Sequence, residues 1–383
     1  MLNALRGVID PELGDNVVDL GMVSRVAVSD DGLADVTISL TTPGCPLRAQ
    51  IMKDVKDQVG AVPGVSDVKV HFGEMAADAK RKLMDRARWM ARDEVKTDIP
   101  STARIAAIAS GKGGVGKSSV TANLAVALAR RGLRVGVLDA DIGGFSIPRM
   151  LGLEGQRVEA VEKKIVPLAL PVGDAGGRLE VLSMGSIEGT GEDEAVMLRG
   201  LMLNRAVQHF LEDVRWSADL DYVLIDMPPG TSDVQMGLAR MLPRAEMLIV
   251  TTPALAAQKV AARAAYMARK GYLRVAGVVE NMSAFTCSHG ESYALFGSGG
   301  GARLAEQIGV PLLGSIPLDP AVAAGGDAGR PAALSDDGGL VAQAFAALAE
   351  RVATQAMPPL EMASCTARMF EQVEAALGPA PTS

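Results

Sequence analysis

The chain has 383 residues, of which 48% are hydrophobic, 22% charged and 3% aromatic, and its net charge is −7. The negative charge argues against non-specific binding to nucleic acid or to an anionic membrane face, and the scarcity of aromatic side chains argues against a base-stacking surface. No apolar run is long enough to span a bilayer, and the amino terminus lacks a basic-then-apolar export signal, so we expect a cytoplasmic protein of more than one domain.

Residues 1–73 are predicted to form a small α/β domain. Alternating apolar and polar residues predict strands at 23–29 and 34–40, a third strand is expected at 65–72, and helices are expected at 1–9 and 46–59. Cys45 lies at the start of the second helix, where a thiol can have a lowered pKa, although a half-buried turn residue fits equally well. The three cysteines, Cys45, Cys287 and Cys365, are too few and too scattered for a disulfide framework, which favours a reduced protein with reactive or metal-binding thiols.

The rest of the chain divides into a charged helical linker at 74–102, a large domain at 103–356 and a tail at 357–383 that we expect to be partly disordered. In the large domain, short apolar runs alternate with helical patterns, which predicts a doubly wound, mostly parallel sheet covered by helices. After a first strand at 105–109, strands are predicted at 134–138, 179–184, 222–225, 247–251, 275–280 and 311–316. Helices are predicted at 120–130, 195–214, 254–269, 301–308 and 339–354.

Between the first strand and the first helix of this domain, the chain has the phosphate-binding pattern GxxxxGK(S/T). Glycines let backbone N–H groups wrap an anion, Lys117 supplies a charge for the outer phosphates, and Ser118 offers a hydroxyl to Mg²⁺. The pattern predicts a nucleotide site formed by Gly111, Lys112, Gly113, Gly114, Val115, Gly116, Lys117, Ser118 and Ser119.

Acidic residues follow two of the predicted strands. The strand at 222–225 is closed by Asp226, as a strand that holds Mg²⁺ through water requires. The strand at 134–138 is closed by Asp139 and Asp141; one could face the metal shell, and the other could position the attacking water. Because ligands of such sheets sit at the carboxyl ends of the strands, we predict Asp139 and Asp226 as magnesium residues and Asp141 as catalytic.

Lys112, a second lysine early in the loop, gives the pattern Gly-Lys-Gly-Gly-Val-Gly-Lys-Ser, which resembles the deviant Walker A motif of the MinD/ParA/nitrogenase-iron-protein class. That resemblance implies a homodimer in which Lys112 reaches the partner's nucleotide, with Asp141 activating water and Asp226 holding Mg²⁺. A solvated loop lysine is the plainer interpretation of Lys112.

Further segments narrow the resemblance: Asp139 to Gly152, Ile225 to Asp233 and Glu280-Asn281-Met282-Ser283 look like the Mrp/ApbC iron–sulfur cluster carriers. Residues 10–13, 18–21 and 41–46 resemble the PaaD/SufT-type assembly domain, in which the turn cysteine, here Cys45, is the suspect functional residue. The resemblance implies a homodimeric ATPase that holds a [4Fe–4S] cluster and passes it to apo-proteins. Its implied partners are these apo iron–sulfur proteins and cluster-assembly proteins. It also implies that Asn281 reads adenine, with Asp319 as a weaker candidate, although Asn281 is equally well a turn residue.

The sequence departs from these carriers in the loop after Asn281. They place a Cys-x-x-Cys pair there, whereas this chain has only Cys287 and, two residues on, His289. A mixed Cys/His cluster, recruitment of Cys45 or Cys365, and no stable cluster all remain open, and our hypothesis is labile cluster binding at Cys287. The competing function classes are a nucleotide-gated adaptor without a cluster and a MinD/ParA-like positioning ATPase.

Overall fold

The computed structural model describes residues 1–10, 15–29, 31–40, 48–75, 96–141, 144–187, 201–230, 237, 241–242, 244–271, 273–335 and 339–357. The chain forms two compact units, one within residues 1–92 and one within residues 93–361. None of the helices in these ranges combines the length and apolarity needed to cross a bilayer.

The N-terminal unit is a three-stranded sheet with a helix packed on one face. The elements of this unit are α1 (Leu2–Leu5), β1 (Ile9–Asp10), β2 (Asp15–Asn16), β3 (Val23–Val28), β4 (Leu33–Leu40), α2 (Arg48–Gly60) and β5 (Asp67–Glu74). Strands β3 and β4 are antiparallel and β4 and β5 are parallel, and the apolar face of α2, with Ile51, Val55 and Val59, is buried against them. A parallel pair needs a crossover connection, and α2 supplies it.

The larger unit is built on an eight-stranded sheet. The strands of the unit are β6 (Arg104–Ser110), β7 (Arg134–Asp139), β8 (Glu159–Val161), β9 (Lys164–Val166), β10 (Leu168–Val172), β11 (Gly177–Ser183), β12 (Tyr222–Asp226), β13 (Glu246–Thr251), β14 (Arg274–Glu280), β15 (Phe285–Thr286), β16 (Ser292–Tyr293) and β17 (Leu312–Ser315). The order in the sheet is β10-β11-β7-β12-β6-β13-β14-β17, and all neighbouring strands are parallel except the edge pair β10 and β11.

Helices cover both faces of this sheet. On one face, Ala106 and Ile108 of β6 belong to a core shared with helices at 117–130 and 340–351; on the other, Ile105, Ala107 and Ala109 belong to a core shared with helices at 201–212, 255–270 and 300–308. Burial on both faces explains why the strands are continuous apolar runs. The helices are α3 (Lys117–Arg130), α4 (Ile147–Met150), α5 (Leu201–Glu212), α6 (Leu255–Lys270), α7 (Gly300–Ile308), α8 (Pro320–Asp327) and α9 (Leu340–Arg351).

The predicted fold class, a doubly wound, mostly parallel P-loop sheet with a small N-terminal α/β domain, is confirmed. The helix predicted at 1–9 is wrong beyond Leu5, because the chain turns at Gly7 and enters β1 at Ile9. The side-chain oxygen of Gln58, from α2, lies over this turn, 2.6 Å from the position that a Cβ at Gly7 would take. Cys45, Cys365, the linker helix, the tail and the segment 231–233 lie largely or wholly outside the described residues.

Candidate functional site

The phosphate-binding loop lies at the carboxyl edge of the large sheet. Strand β6 ends at Ser110, and α3 begins at Lys117 with Gly116 as its N-cap. Gly114 and Gly116 both have φ of 78°, a left-handed conformation that strongly favours glycine. A Cβ at Gly113 or Gly114 would meet nothing within 4 Å, so this part of the loop faces open space. The loop therefore offers backbone amides and the N-terminus of α3 to an anion.

The two ends of the loop are held by close contacts with other elements. A Cβ at Gly111 would lie 2.3 Å from the carbonyl carbon of Val260, in the backbone of α6. A Cβ at Gly116 would lie 2.3 Å from the side-chain nitrogen of Asn281, which follows β14. Real Cβ atoms do not approach other atoms so closely, so these two glycines of the pattern are needed for packing as well as for phosphate binding.

A buried polar cluster connects α3 to the end of β12. The Lys117 Nζ lies 2.6 Å from Asp226 Oδ2, and both side chains are almost fully buried. The Ser118 hydroxyl donates to the same oxygen at 2.5 Å, and the Thr121 hydroxyl donates to Asp226 Oδ1 at 2.7 Å. Hard oxygen donors are what Mg²⁺ prefers, so the Ser118 hydroxyl and the Asp226 carboxylate fit the predicted magnesium site.

Asp139 pairs with Asp226 across the neighbouring strands β7 and β12 and is completely buried. Its Oδ2 accepts hydrogen bonds from the backbone amides of Ser146 and Ile147 at 3.1 and 3.3 Å. Its Oδ1 accepts from the amide of Asp141 at 3.2 Å. Burial, and secondarily the charge of Asp226, raises the pKa of the Asp139 carboxyl to about 7. The structure thus gives Asp139 a role that the sequence did not suggest, which is to hold the chain that leaves β7.

Asp141, the predicted catalytic acid, is half-buried at the same edge of the sheet. Burial raises its pKa; the charge of Asp226 adds to this effect and that of Lys117 opposes it. A Cβ built on Gly144 would lie 3.7 Å from Asp141 Oδ1, so the returning chain passes beside the carboxylate. A carboxyl with a raised pKa is suited to accept a proton from water.

Lys112 is exposed at the tip of the loop. The Ser110 hydroxyl donates to the Lys112 carbonyl at 3.0 Å, which fixes the backbone there. No hydrogen bond or ion pair joins the Lys112 side chain to another residue that the structure describes. The exposed side chain can reach outward, as the predicted contact with a partner's nucleotide requires, and that contact stays a prediction.

Asn281 contacts the loop itself. Its side-chain nitrogen donates to the Val115 carbonyl at 2.9 Å, and its own amide donates to the carbonyl of Thr251, the last residue of β13. Its predicted adenine contact stays a prediction. Asp319, the weaker candidate, caps α8 by accepting from the Ala321 amide at 2.8 Å. Ser119 lies in the first turn of α3, and its carbonyl accepts from the side chain of Asn123 at 2.8 Å.

Cys287 lies in the turn of a short antiparallel hairpin formed by β15 and β16, which we call the Cys287 hairpin (residues 285–293). The Cys287 amide donates to the Glu291 carbonyl at 2.9 Å, its carbonyl accepts from the Gly290 amide at 3.0 Å, and His289 is exposed. The thiol is partly exposed and forms no disulfide. Over the described ranges, no group of three or more His, Cys, Asp and Glu side chains is placed to share a metal ion.

Two residues of this region were missed by the sequence interpretation. Thr121 lies one helical turn after Lys117 on the same face of α3, a spacing that could have revealed it. Glu280, the last residue of β14, is buried, and its carboxylate accepts from the amide of Gly301 at 2.5 Å. Nothing in the sequence indicates that contact, because it depends on how α7 packs.

Comparison with known proteins agrees with this geometry. The family model described as NUBPL iron-transfer P-loop NTPase (ParA) matches residues 101–353, and the model described as iron–sulfur cluster assembly protein matches residues 1–72. The iron–sulfur cluster carrier protein of Mycobacterium bovis is 44% identical over 363 residues, which is 92% of each chain. That of Deinococcus radiodurans is 44% identical over 357 residues, 93% of this chain and 94% of its own.

Among solved structures, the cell division ATPase MinD of Pyrococcus furiosus superposes with a TM-score of 0.50 at 26% identity, over 65% of this chain and 98% of that one. The share of this chain that superposes is close to the share of the chain that forms the large unit. The fold around the phosphate-binding loop is therefore that of a P-loop NTPase.

Proposed function

Since the chain belongs to the NUBPL iron-transfer P-loop NTPase family, we propose that it carries iron–sulfur clusters in a cycle driven by ATP hydrolysis. The observation that supports this proposal most directly is that one edge of the sheet bears both the phosphate loop and, after β14, the Cys287 hairpin. The relatives named as iron–sulfur cluster carrier proteins match over nearly the whole chain, both units included.

In the proposed ATPase step, the amides of residues 113–117 hold the phosphates, and Lys117 neutralises their charge. Ser118 and Asp226 would hold Mg²⁺, which shields the charge that develops on the phosphates during transfer. Asp141 orients and deprotonates the attacking water, and Asp139 holds Asp141 in place through its amide.

We further propose that two subunits form the active homodimer and that Lys112 of one subunit contacts the nucleotide of the other. The exposure of Lys112 and its lack of a side-chain partner among the described residues support this arrangement. A lysine from a partner would add positive charge at the transferred phosphate only when the dimer closes, so hydrolysis would report dimer formation.

The proposed cargo is an iron–sulfur cluster, expected to be [4Fe–4S], that is bound by the Cys287 thiolate and passed to apo-proteins. Each subunit places one partly exposed thiol in a turn, so a dimer supplies two thiolates, with His289 as a further ligand. Thiolates are the usual protein ligands of such clusters, and a partial set gives a labile site suited to transfer. A free thiol is maintained in a reducing compartment, which supports a cytoplasmic location.

Anaerobic reconstitution tests the cargo. The wild-type chain and Cys287→Ser would be loaded with iron and sulfide, and their iron and sulfide content and absorption spectra compared. We expect the variant to lose most of its cluster, whereas Cys45→Ser and Cys365→Ser serve as matched single-thiol controls and retain it. Equal cluster content in the wild type and Cys287→Ser would contradict the assignment of Cys287. Transfer would be measured as the activity gained by an apo [4Fe–4S] enzyme.

A second candidate, a nucleotide-gated adaptor without a stable cluster, is favoured by one specific observation. The hairpin has a single thiol, and within the described residues no larger group of metal ligands lies near it. The adaptor function predicts ATP turnover in a chain that gains no cluster absorption on reconstitution. The same reconstitution, combined with a phosphate-release assay, therefore separates the two candidates.

A further inference from the structure

Two consecutive residues, Glu280 and Asn281, connect the phosphate loop with the Cys287 hairpin. Asn281 is 8% exposed, and its side chain donates to the Val115 carbonyl of the loop at 2.9 Å. Gly116 lies against the same side-chain nitrogen. A change in the position of Val115 or Gly116 therefore moves or breaks a buried hydrogen bond. Breaking it is costly, because it leaves a buried donor and a buried acceptor without partners.

Glu280 fixes the other end of the segment that contains the hairpin. Its carboxylate accepts from the Gly301 amide at 2.5 Å, at the point where the chain leaves the hairpin region and enters α7. Its carbonyl accepts from the Ile316 amide at 2.7 Å. The segment 282–299 thus follows Asn281 at one end and is held at the other end by the bond between Gly301 and Glu280. Of these two neighbouring anchor residues, Asn281 is bonded to the phosphate loop.

The first residue of this segment, Met282, has a strained backbone. Its φ is 56°, in the left-handed region that non-glycine residues rarely adopt. Its Cε lies 3.5 Å from the Cβ position of Gly116. The next residue, Ser283, is held by its amide and hydroxyl, which both donate to the Ile316 carbonyl at 3.0 and 3.2 Å. Strain of this kind persists where surrounding contacts hold it, and it is released when one of those contacts changes.

We propose that Asn281 is a positioning residue that couples the state of the phosphate loop to the accessibility of the Cys287 thiol. The chain that enters the hairpin is bonded to the Val115 carbonyl through Asn281 and to the Ile316 carbonyl through Ser283. A shift at Val115 moves only the first of these two contacts, so it changes the orientation of the hairpin. Coupling is reciprocal, so a ligand on Cys287 also changes nucleotide affinity. The consequence for cluster delivery rests on the proposed function, but the coupling itself does not.

The test is the rate at which iodoacetamide alkylates Cys287 in the full-length protein, without iron, read by mass spectrometry of the peptide that contains it. The rate is measured without nucleotide, with Mg²⁺ and ADP, and with Mg²⁺ and a non-hydrolysable ATP analogue, all at saturation. Cys45 and Cys365 give internal reference rates. We expect the Cys287 rate to differ on the order of fivefold between nucleotide states, the lower end of typical coupling between two sites.

Asn281→Ala should bring this ratio close to one, because it removes the donor to the Val115 carbonyl. Asn123→Ala is the matched control. Asn123 is a buried asparagine whose side chain donates to the Ser119 carbonyl and accepts from the Ala333 amide, and neither bond involves the Cys287 hairpin. The ratio for Asn123→Ala should stay as in the wild type. A wild-type ratio of one, or an Asn281→Ala ratio equal to that of the wild type, would overturn the proposal.

If Asn281→Ala does not fold, as judged by circular dichroism, Met282→Gly decides the matter. Glycine adopts the left-handed backbone without strain and lacks the side chain beside Gly116, so the ratio should fall, and an unchanged ratio overturns the proposal. The alkylation uses no cluster, so its failure leaves the reconstitution result untouched. Conversely, a chain that binds no cluster can still show the coupling.

Discussion

Replacing Asp139 by asparagine is expected to flatten the pH dependence of the free energy of unfolding of the P-loop unit. Asp139 is completely buried beside Asp226, and its pKa is about 7 in the folded protein against 3.8 for an ordinary aspartate. Because the folded state holds this proton more tightly, the group favours folding most below pH 3.8. Its contribution falls as the pH rises from 3.8 through about 7 and is constant above that.

The magnitude follows from the pKa difference. Each pH unit within the window costs about 1.4 kcal/mol, so the penalty of Asp139 is about 2 kcal/mol at pH 5 and about 4 kcal/mol at pH 8. Asparagine removes this penalty at both pH values. Its oxygen can take the position of Oδ2, which accepts from Ser146 and Ile147, but the bond from the Asp141 amide is lost, at about 1 kcal/mol. The variant should be more stable by about 3 kcal/mol at pH 8, and by only about 1 kcal/mol at pH 5.

The assay is urea unfolding of the full chain in nucleotide-free buffer at pH 5 and pH 8, followed by fluorescence. Trp216 is buried and packs against Gly136 of β7, so in a Trp89→Phe background it reports on the strand that ends in Asp139. Asp174→Asn, at an exposed aspartate of the same unit, is the control and should follow the wild type at both pH values. An equal change of stability at the two pH values, or a loss of stability at pH 8, would contradict a raised pKa of Asp139.

Three further substitutions test the site. Lys112→Ala should abolish ATP turnover in a phosphate-release assay and leave nucleotide affinity by calorimetry within a few-fold of wild type; unchanged turnover would contradict the two-subunit site. Thr121→Val removes the hydroxyl that donates to Asp226 Oδ1 and should lower the free energy of unfolding in urea by about 1–3 kcal/mol. It should also raise the Mg²⁺ concentration for half-maximal turnover, whereas Thr121→Ser, which keeps the hydroxyl, should do neither. Gly111→Ala forces a Cβ into the backbone of α6 and should cost at least about 1–3 kcal/mol, while Gly113→Ala, in open space, should leave the stability of the free protein unchanged; equal losses would show that the packing argument is wrong.

Much of the nucleotide site could be predicted because parallel sheets impose a simple geometry. Strands that read as apolar runs end at one edge, so Asp139, Asp226 and the phosphate loop had to meet there once the strands were identified. The register confirms this, since Asp139 is the direct neighbour of Asp226. The alternation of Ile105, Ala107 and Ala109 with Ala106 and Ile108 between two cores likewise follows from the two-residue period of a strand.

Contacts that depend on the path of a loop could not be predicted. The magnesium role predicted for Asp139 stays a prediction, whereas its hydrogen bonds with the amides of residues 141, 146 and 147 were not predicted, because they depend on the path of the chain after β7. The Cys287 hairpin has strands of only two residues, too short for alternation to be visible. Glu280 looks like the polar end of a strand, and its function as the anchor of α7 depends on tertiary packing that no local pattern encodes.

The contacts of Lys117 suggest how nucleotide binding would reorganise the site. In the structure its ammonium group is paired with Asp226, and Ser118 donates to the same carboxylate oxygen. A bound terminal phosphate competes with Asp226 for Lys117, because it brings more negative charge to the loop. Once Lys117 turns to the phosphate, the Asp226 carboxylate loses its ion pair with Lys117. The Ser118 hydroxyl and the Asp226 carboxylate are then two hard oxygen donors a short distance apart, the arrangement that suits Mg²⁺. The ion pair thus keeps a buried carboxylate compensated until the substrate arrives, and on this argument Lys117→Ala should destabilise the free protein through an uncompensated Asp226 as well as weaken nucleotide binding.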